Sequence, residues 1–199
     1  TKWDVPVENV AWEAGQAVCH HGDFQALSLK QLASLAPKVG GAIAGHSEIN
    51  ATGAGAAFSA HIVDVEVDKE TGFTTPKRYT IIQDAGRAIS PDYVEGQMQG
   101  AAVQGIGWAL NEEYIYDHNG CLQNAGFLDY RMPVASDVPM IDTVIVEVPN
   151  PNHPYGVRGV GEPPLVPAPA AVANAVENAI GKRMGVLPLS PPKILQALK

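Results

Sequence analysis

The alternation of polar and apolar positions is strictest between Phe58 and Gln83, where Val63, Val65 and Val67 share one parity and Asp64, Glu66 and Asp68 the other. The turn sequence DKETG and the run YTIIQ follow. Period two puts the valines on one side of a strand, so the stretch predicts a long β-hairpin with one buried face. DAGRAISP breaks the pattern, and residues 92–111 resume at helical spacing, with Ser90 or Asp92 as the N-cap. Upstream, VENVAWEAGQAVCHH predicts two short strands around a glycine turn, and SLKQLASLA a short helix opened by Ser28 and Gln31 at capping-box spacing. Residues 37–57 are rich in glycine, alanine and serine and predict an irregular loop lying against a ligand or a partner chain.

Further along, EEYIYD and DTVIVEV predict strands, with a turn at HNG and an extended stretch, GFLDYRMPVASDVP, between them. NPNHPYGVRGVGEPP reads as loop. Pro167 or Pro169 can occupy the first turn of a helix running to Ile180, whose apolar stripe is Val172, Val176 and Ile180 and whose stop is Gly181. SPPKILQALK predicts a capped terminal helix. Together these elements predict an α+β architecture: a hairpin-rich mixed sheet with helices 92–110 and 168–180 packed on it.

The helix over 92–111 contains Gly96, Gly100, Gly105 and Gly107. Each costs roughly 1 kcal/mol against alanine in a helix interior, which close packing must offset. Gln97, Ala101, Gln104 and Trp108 fall on one face, giving two amides across a small residue. They are either a solvated pair or donors and acceptors for a buried polar ligand.

With 46% apolar residues among 199, the chain can bury one large core or two small ones. Charged residues reach only 17%, below the roughly 25% of ordinary domains, so part of its surface is expected to be covered by other protein. A net charge of −8 disfavours nucleic acid. No apolar run approaches the ~20 residues of a membrane span, and the opening TKWDVPVENV lacks the layout of a signal peptide. A soluble, cytoplasmic chain is the expectation.

Cys19 and Cys121 have no C-x-x-C partner and read as reduced thiols, not as ligands of an iron–sulfur cluster or zinc. The six histidines form no H-x-x-x-H pair, so a protein-ligated metal is not expected. GAGAAF lacks the third glycine of a dinucleotide loop and runs into a strand, not a helix. No G-x-S-x-G elbow is present. What remains is Glu162, alone between a Gly/Val run and a Pro/Ala/Val run. Glycines before it allow close approach of a ligand, and prolines after it stiffen the loop. By residue type it is either a carboxylate tying down a helix start or a general base.

Four stretches, in order, resemble one family: GAGAAFSAHIVDVEVDKETG, DAGRAISPDYVEGQMQGAAVQGIGWALNEE, FLDYRMPVASDVPMIDTVIVEVPNPNHPYG and GVGEPPLVPAPAAVANAV. They are similar to the molybdenum-binding large subunit of the xanthine dehydrogenase/aldehyde oxidase family, the molybdenum hydroxylases. The resemblance implies that residues 1–199 are the C-terminal segment of a molybdopterin-binding domain, as a fragment or a split subunit of a longer catalytic chain. It further implies hydroxylation of an aldehyde, N-heterocycle or aromatic thioester with water-derived oxygen. Glu162 then matches the catalytic glutamate, Gly161 the residue beside it at the molybdenum site, and Gln104 a glutamine that hydrogen-bonds the pterin.

The implied cofactor is molybdenum–molybdopterin, in a dinucleotide form, held in the full enzyme and absent from the isolated chain, which alone is expected to be inactive. The implied partners are the rest of the large subunit, an iron–sulfur subunit, a flavin subunit carrying FAD, and a small-molecule substrate. The competing expectation is a cofactor-free assembly or interaction module, which the low charge content also fits. A hydrolase built on Glu162 has no accompanying nucleophile or second base.

Overall fold

The computed structural model describes residues 2–42, 44–48, 53 and 55–199; parts of the 37–57 loop and of GAGAAF lie outside them. The chain forms two compact units, Thr1–Asn50 and Ala51–Lys199.

In the first unit, β1 (Val10–Glu13) and β2 (Gln16–Cys19) pair antiparallel around Ala14 and Gly15, and β3 (Leu27–Ser28) adds to β2. Both turn residues sit at positive φ, the geometry that matches strand twist in a two-residue hairpin. Helix α1 (Leu29–Val39) opens on the expected capping box: the Gln31 N–H donates to Ser28 Oγ at 3.4 Å, and the Ser28 N–H donates to Gln31 Oε1 at 2.8 Å. It runs through Pro37, which the sequence reading placed in the irregular loop. Pro37 lies in the last turn, and Gly40 and Gly41 at positive φ end the helix just beyond it.

The second unit is a three-stranded mixed sheet ordered β4 (Ser59–Val67), β5 (Thr74–Asp84), β6 (Ile141–Val146). Strands β4 and β5 form the expected hairpin, and its turn is closed by the Asp68 carboxylate, which accepts from the Glu70 N–H and the Thr71 hydroxyl. β6 pairs parallel to β5, from Tyr79 opposite Ile141 to Asp84 opposite Val146. A parallel partner requires a crossover, and the crossover carries α2 (Pro91–Leu110). Helix α2 lies over β5 and β6, and α3 (Ala168–Ile180) over β4. Tyr79, Ile81, Met98, Ile106, Val172, Val176 and Ile194, the last on α4 (Pro191–Leu198), are buried between them.

Two of the four helix glycines answer to close packing. A side chain on Gly105 would collide with Ala168 on α3, and one on Gly107 with Glu112 and Pro133. Gly96 and Gly100 have nothing within 4 Å of where a Cβ would stand, so the expected packing partner is not found for them among the described residues.

The predicted strand at EEYIYD does not form; Tyr116 makes one isolated bridge to Leu122. The buried Asn124 amide satisfies this backbone instead, accepting from the Ile115 N–H at 3.0 Å and donating to the Glu113 carbonyl at 2.6 Å. Alternation alone cannot make a strand where a side chain already holds the groups a neighbouring strand would pair.

Candidate functional site

The loop holding Glu162 is fastened to the C-terminal end of β5. Past Asp84 the chain continues as a short antiparallel pairing: the Arg87 N–H donates to the Gly156 carbonyl at 2.9 Å, and the Arg158 N–H to the Ala85 carbonyl at 3.0 Å. Gly86 sits between them at positive φ, where any side chain would strike the Gly156 carbonyl and Arg158. The preceding turn is folded around Asn150, whose amide donates to the Val157 carbonyl at 3.3 Å and accepts from the Asn152 N–H at 3.0 Å. Arg158 pairs with Asp84, Nε to Oδ2 at 3.0 Å, with both side chains about nine-tenths buried.

After Arg158 the chain is free of backbone hydrogen bonds, among the described residues, until the Glu162 carbonyl accepts from the Leu165 N–H at 2.9 Å. Leu165 in turn accepts from the Ala168 N–H at 3.1 Å, and Ala168 is locked against Gly105. Glu162 is thus suspended between two anchors. Its side chain is exposed and opens onto a groove of about 480 Å³ lined by Ala57, Phe58, Ser59, Pro163, Val166 and Pro167. Among the described residues its carboxylate has no hydrogen-bond partner, and α3 starts after Pro167 at its N-cap without a side-chain cap. The helix-tying reading of Glu162 therefore lacks the bond it needs.

Gly161 is also exposed, and the nearest atom to its missing Cβ is Gln97 Nε2 at 3.5 Å. Gln97 is the amide brought beside the Glu162 loop. Gln104, two turns further along the same helix face, is exposed and makes no hydrogen bond to Gly161 or Glu162 among the described residues. The i, i+7 amide spacing was the signal for both, but nothing in the sequence ranked Gln97 as the nearer.

A second polar chain ends at the groove. Ser59 Oγ lies 3.0 Å from His61 Nε2, and His61 Nδ1 lies 2.8 Å from the hydroxyl of the buried Tyr79. Burial lowers the His61 imidazole to about 4 and pushes the Tyr79 phenol up, so both are neutral at physiological pH. Ser59 and His61 share the inner parity of Val63, Val65 and Val67, but their link to Tyr79 depends on strand register, which no local pattern sets.

Residues 1–139 match the molybdopterin cofactor-binding domain family. The xanthine dehydrogenase molybdenum-binding subunit of Escherichia coli O157:H7 is 38% identical over 174 residues, covering 85% of this chain and 23% of that protein. The aldehyde oxidoreductase of Megalodesulfovibrio gigas is 39% identical over 145 residues, 71% of this chain and 15% of that protein. The quinoline 2-oxidoreductase of Pseudomonas putida 86 superposes with a TM-score of 0.81 at 26% identity, over 98% of this chain and 26% of that one. The chain thus spans about a quarter or less of the length of the proteins it matches. It belongs to the molybdopterin cofactor-binding domain family, in the branch of xanthine dehydrogenase/aldehyde oxidase-type molybdenum-binding subunits.

Proposed function

We propose that residues 1–199 act as the C-terminal segment of the cofactor-binding domain of a larger molybdenum hydroxylase, and that Glu162 is its general base. The observation that carries this reading is the Glu162 carboxylate itself: exposed to a groove with mostly apolar walls, without a hydrogen-bond partner among the described residues, and held between two fixed points. A carboxylate so placed can accept a proton from water-derived oxygen as the substrate carbon is attacked.

The residues fit a pterin-borne metal. Among the described residues no three His, Cys, Asp or Glu side chains stand together as a metal site, and in this proposal the pterin carries the metal. The chain offers amides, each with donors and an acceptor, which suit the edge of a polar heterocycle. Gln104 and Gly161, with Gln97 beside Gly161, are the residues we assign to holding it, and the open space at Gly96 and Gly100 leaves room for its approach. When bound, the cofactor supplies the two-electron acceptor for substrate hydroxylation. Phe58, 70% exposed, and Val166, 77% exposed, supply apolar walls for the body of an aldehyde, N-heterocycle or aromatic thioester.

The remainder of the large subunit, an iron–sulfur subunit and a flavin subunit with FAD complete the enzyme in this proposal, in the cytoplasm. No helix of the described residues is long and apolar enough to cross a membrane. Molybdenum and pterin analysis of the complex purified from its native source tests the reading. Stoichiometric metal and pterin that co-purify with this chain are expected; a complex containing the chain but neither of them would leave it an assembly module.

A further inference from the structure

The described residues hold six ion pairs, and five are exposed: in Lys77–Glu66, Arg78–Asp64, Arg183–Glu177, Lys193–Glu113 and His20–Glu13, every side chain keeps at least 30% of its surface. Such pairs contribute little. Arg158 and Asp84 differ, at 11% and 12%. Burying an ion pair is costly unless its remaining hydrogen-bonding capacity is met. Here it is met at Asp84 Oδ1 and at Nε and Nη1 of Arg158. Arg158 Nε also donates to the Val148 carbonyl at 3.1 Å and Nη1 to the Ala56 carbonyl at 2.7 Å, and Asp84 Oδ1 accepts from the N–H groups of Gly86 at 2.9 Å and Val148 at 3.2 Å.

The Ala56 contact decides what this cluster can do. Ala57, Phe58 and Ser59 line the same groove as Glu162, and Ala56 immediately precedes them. The Arg158 backbone belongs to the Glu162 loop, four residues upstream, and residues 159–161 make no backbone hydrogen bonds of their own among the described residues. One guanidinium therefore ties the segment that carries the carboxylate to the other segment that lines the groove. We infer that Arg158, oriented by Asp84, is a positioning residue that sets the distance of the Glu162 carboxylate from the Ala57–Ser59 wall. This rests on the reading of Glu162 as base, since a misplacement of about 1 Å matters most for a group that must meet a reacting atom.

Two variants of the complete enzyme test it. Arg158→Lys keeps a charge for Asp84 but cannot fork to the Val148 and Ala56 carbonyls. Gly55→Ala leaves Arg158 intact and acts on it from outside: its Cβ would stand 2.5 Å from Arg158 Nη1 and 2.9 Å from Asn150 Oδ1, displacing the guanidinium. Amide hydrogen exchange by mass spectrometry should rise about 10-fold or more in peptides covering residues 156–165, with α2 and β4–β6 unchanged, a local opening without global loss. With benzaldehyde or quinoline, whichever the unaltered enzyme oxidises with a dye acceptor, kcat should fall about 10- to 100-fold at little-changed KM and intact molybdenum content. The double variant should lose no more than the worse single, because the contact both act through is Arg158 Nη1 to the Ala56 carbonyl.

Unchanged exchange at 156–165 in both variants, or kcat within twofold of the unaltered enzyme, would overturn the inference and leave the Glu162 reading standing. So would loss of molybdenum in step with activity in both, which makes Arg158 an assembly residue; if only the lysine variant sheds metal, Gly55→Ala decides. A Glu162→Gln enzyme that keeps its activity would instead sink the base reading.

Discussion

Ala168, the first residue of α3, fills the space that a side chain on Gly105 of α2 would need. The contact fixes the start of α3 and, six residues upstream, the exit of the Glu162 loop. Gly105→Leu should therefore overpack the α2–α3 contact and destabilise the chain by roughly 1–3 kcal/mol. Chemical denaturation followed by circular dichroism would show it, and an unshifted midpoint would contradict the packing.

Gly100 is the counterpart, since nothing stands within 4 Å of its missing Cβ. Gly100→Leu should leave the isolated chain as stable or up to about 1 kcal/mol more so, the helix-propensity gain. In the complete enzyme the same substitution should lower pterin content, because it fills space on the face that carries Gln97 and Gln104. Normal pterin loading would remove that face from the proposed cofactor site.

How far the sequence could be read depended on the range of the interactions involved. The β4–β5 hairpin was legible because Val63, Val65 and Val67 repeat every second residue, and the α1 start because Ser28 and Gln31 meet within one turn. EEYIYD was misread because Asn124, distant in sequence from the strand pattern, takes over its backbone groups. The parallel pairing of β6 with β5 and the closure of Arg158 onto Asp84 and Ala56 join residues far apart in the chain, which no local periodicity encodes. At the site, the setting of Glu162 and the two-amide face were visible, whereas the nearness of Gln97 to Gly161 needed the packing of the loop against α2.

The Ser59–His61–Tyr79 chain gives the protein a pH response of definite sign. The unfolded chain takes up a proton on His61 near its ordinary value of 6.5, and the folded chain only near 4. Stability from the neutral imidazole is thus complete above pH 6.5, is lost as pH falls towards 4, and changes no further below. The thermal midpoint of wild type should fall more steeply over this window than that of His61→Gln, and parallel curves would contradict the half-buried neutral histidine.

Isolated, the 199-residue chain should carry no molybdenum even when produced in cells that make the cofactor. The segments around Gln97, Gln104 and Gly161 cannot by themselves offset the cost of ordering a large polar ligand. Elemental analysis checks this, and stoichiometric metal in the purified chain would overturn it.

The central claim is the base role of Glu162, and turnover by Glu162→Gln in the complete enzyme tests it most directly. Glutamine is nearly isosteric and can still hydrogen-bond, so a purely structural role would survive as a small loss of stability, but an amide cannot take the proton. The expected result is a fall in kcat of at least about 100-fold with fold and molybdenum content intact. An enzyme that retained half its activity, or lost activity only by shedding molybdenum, would contradict it.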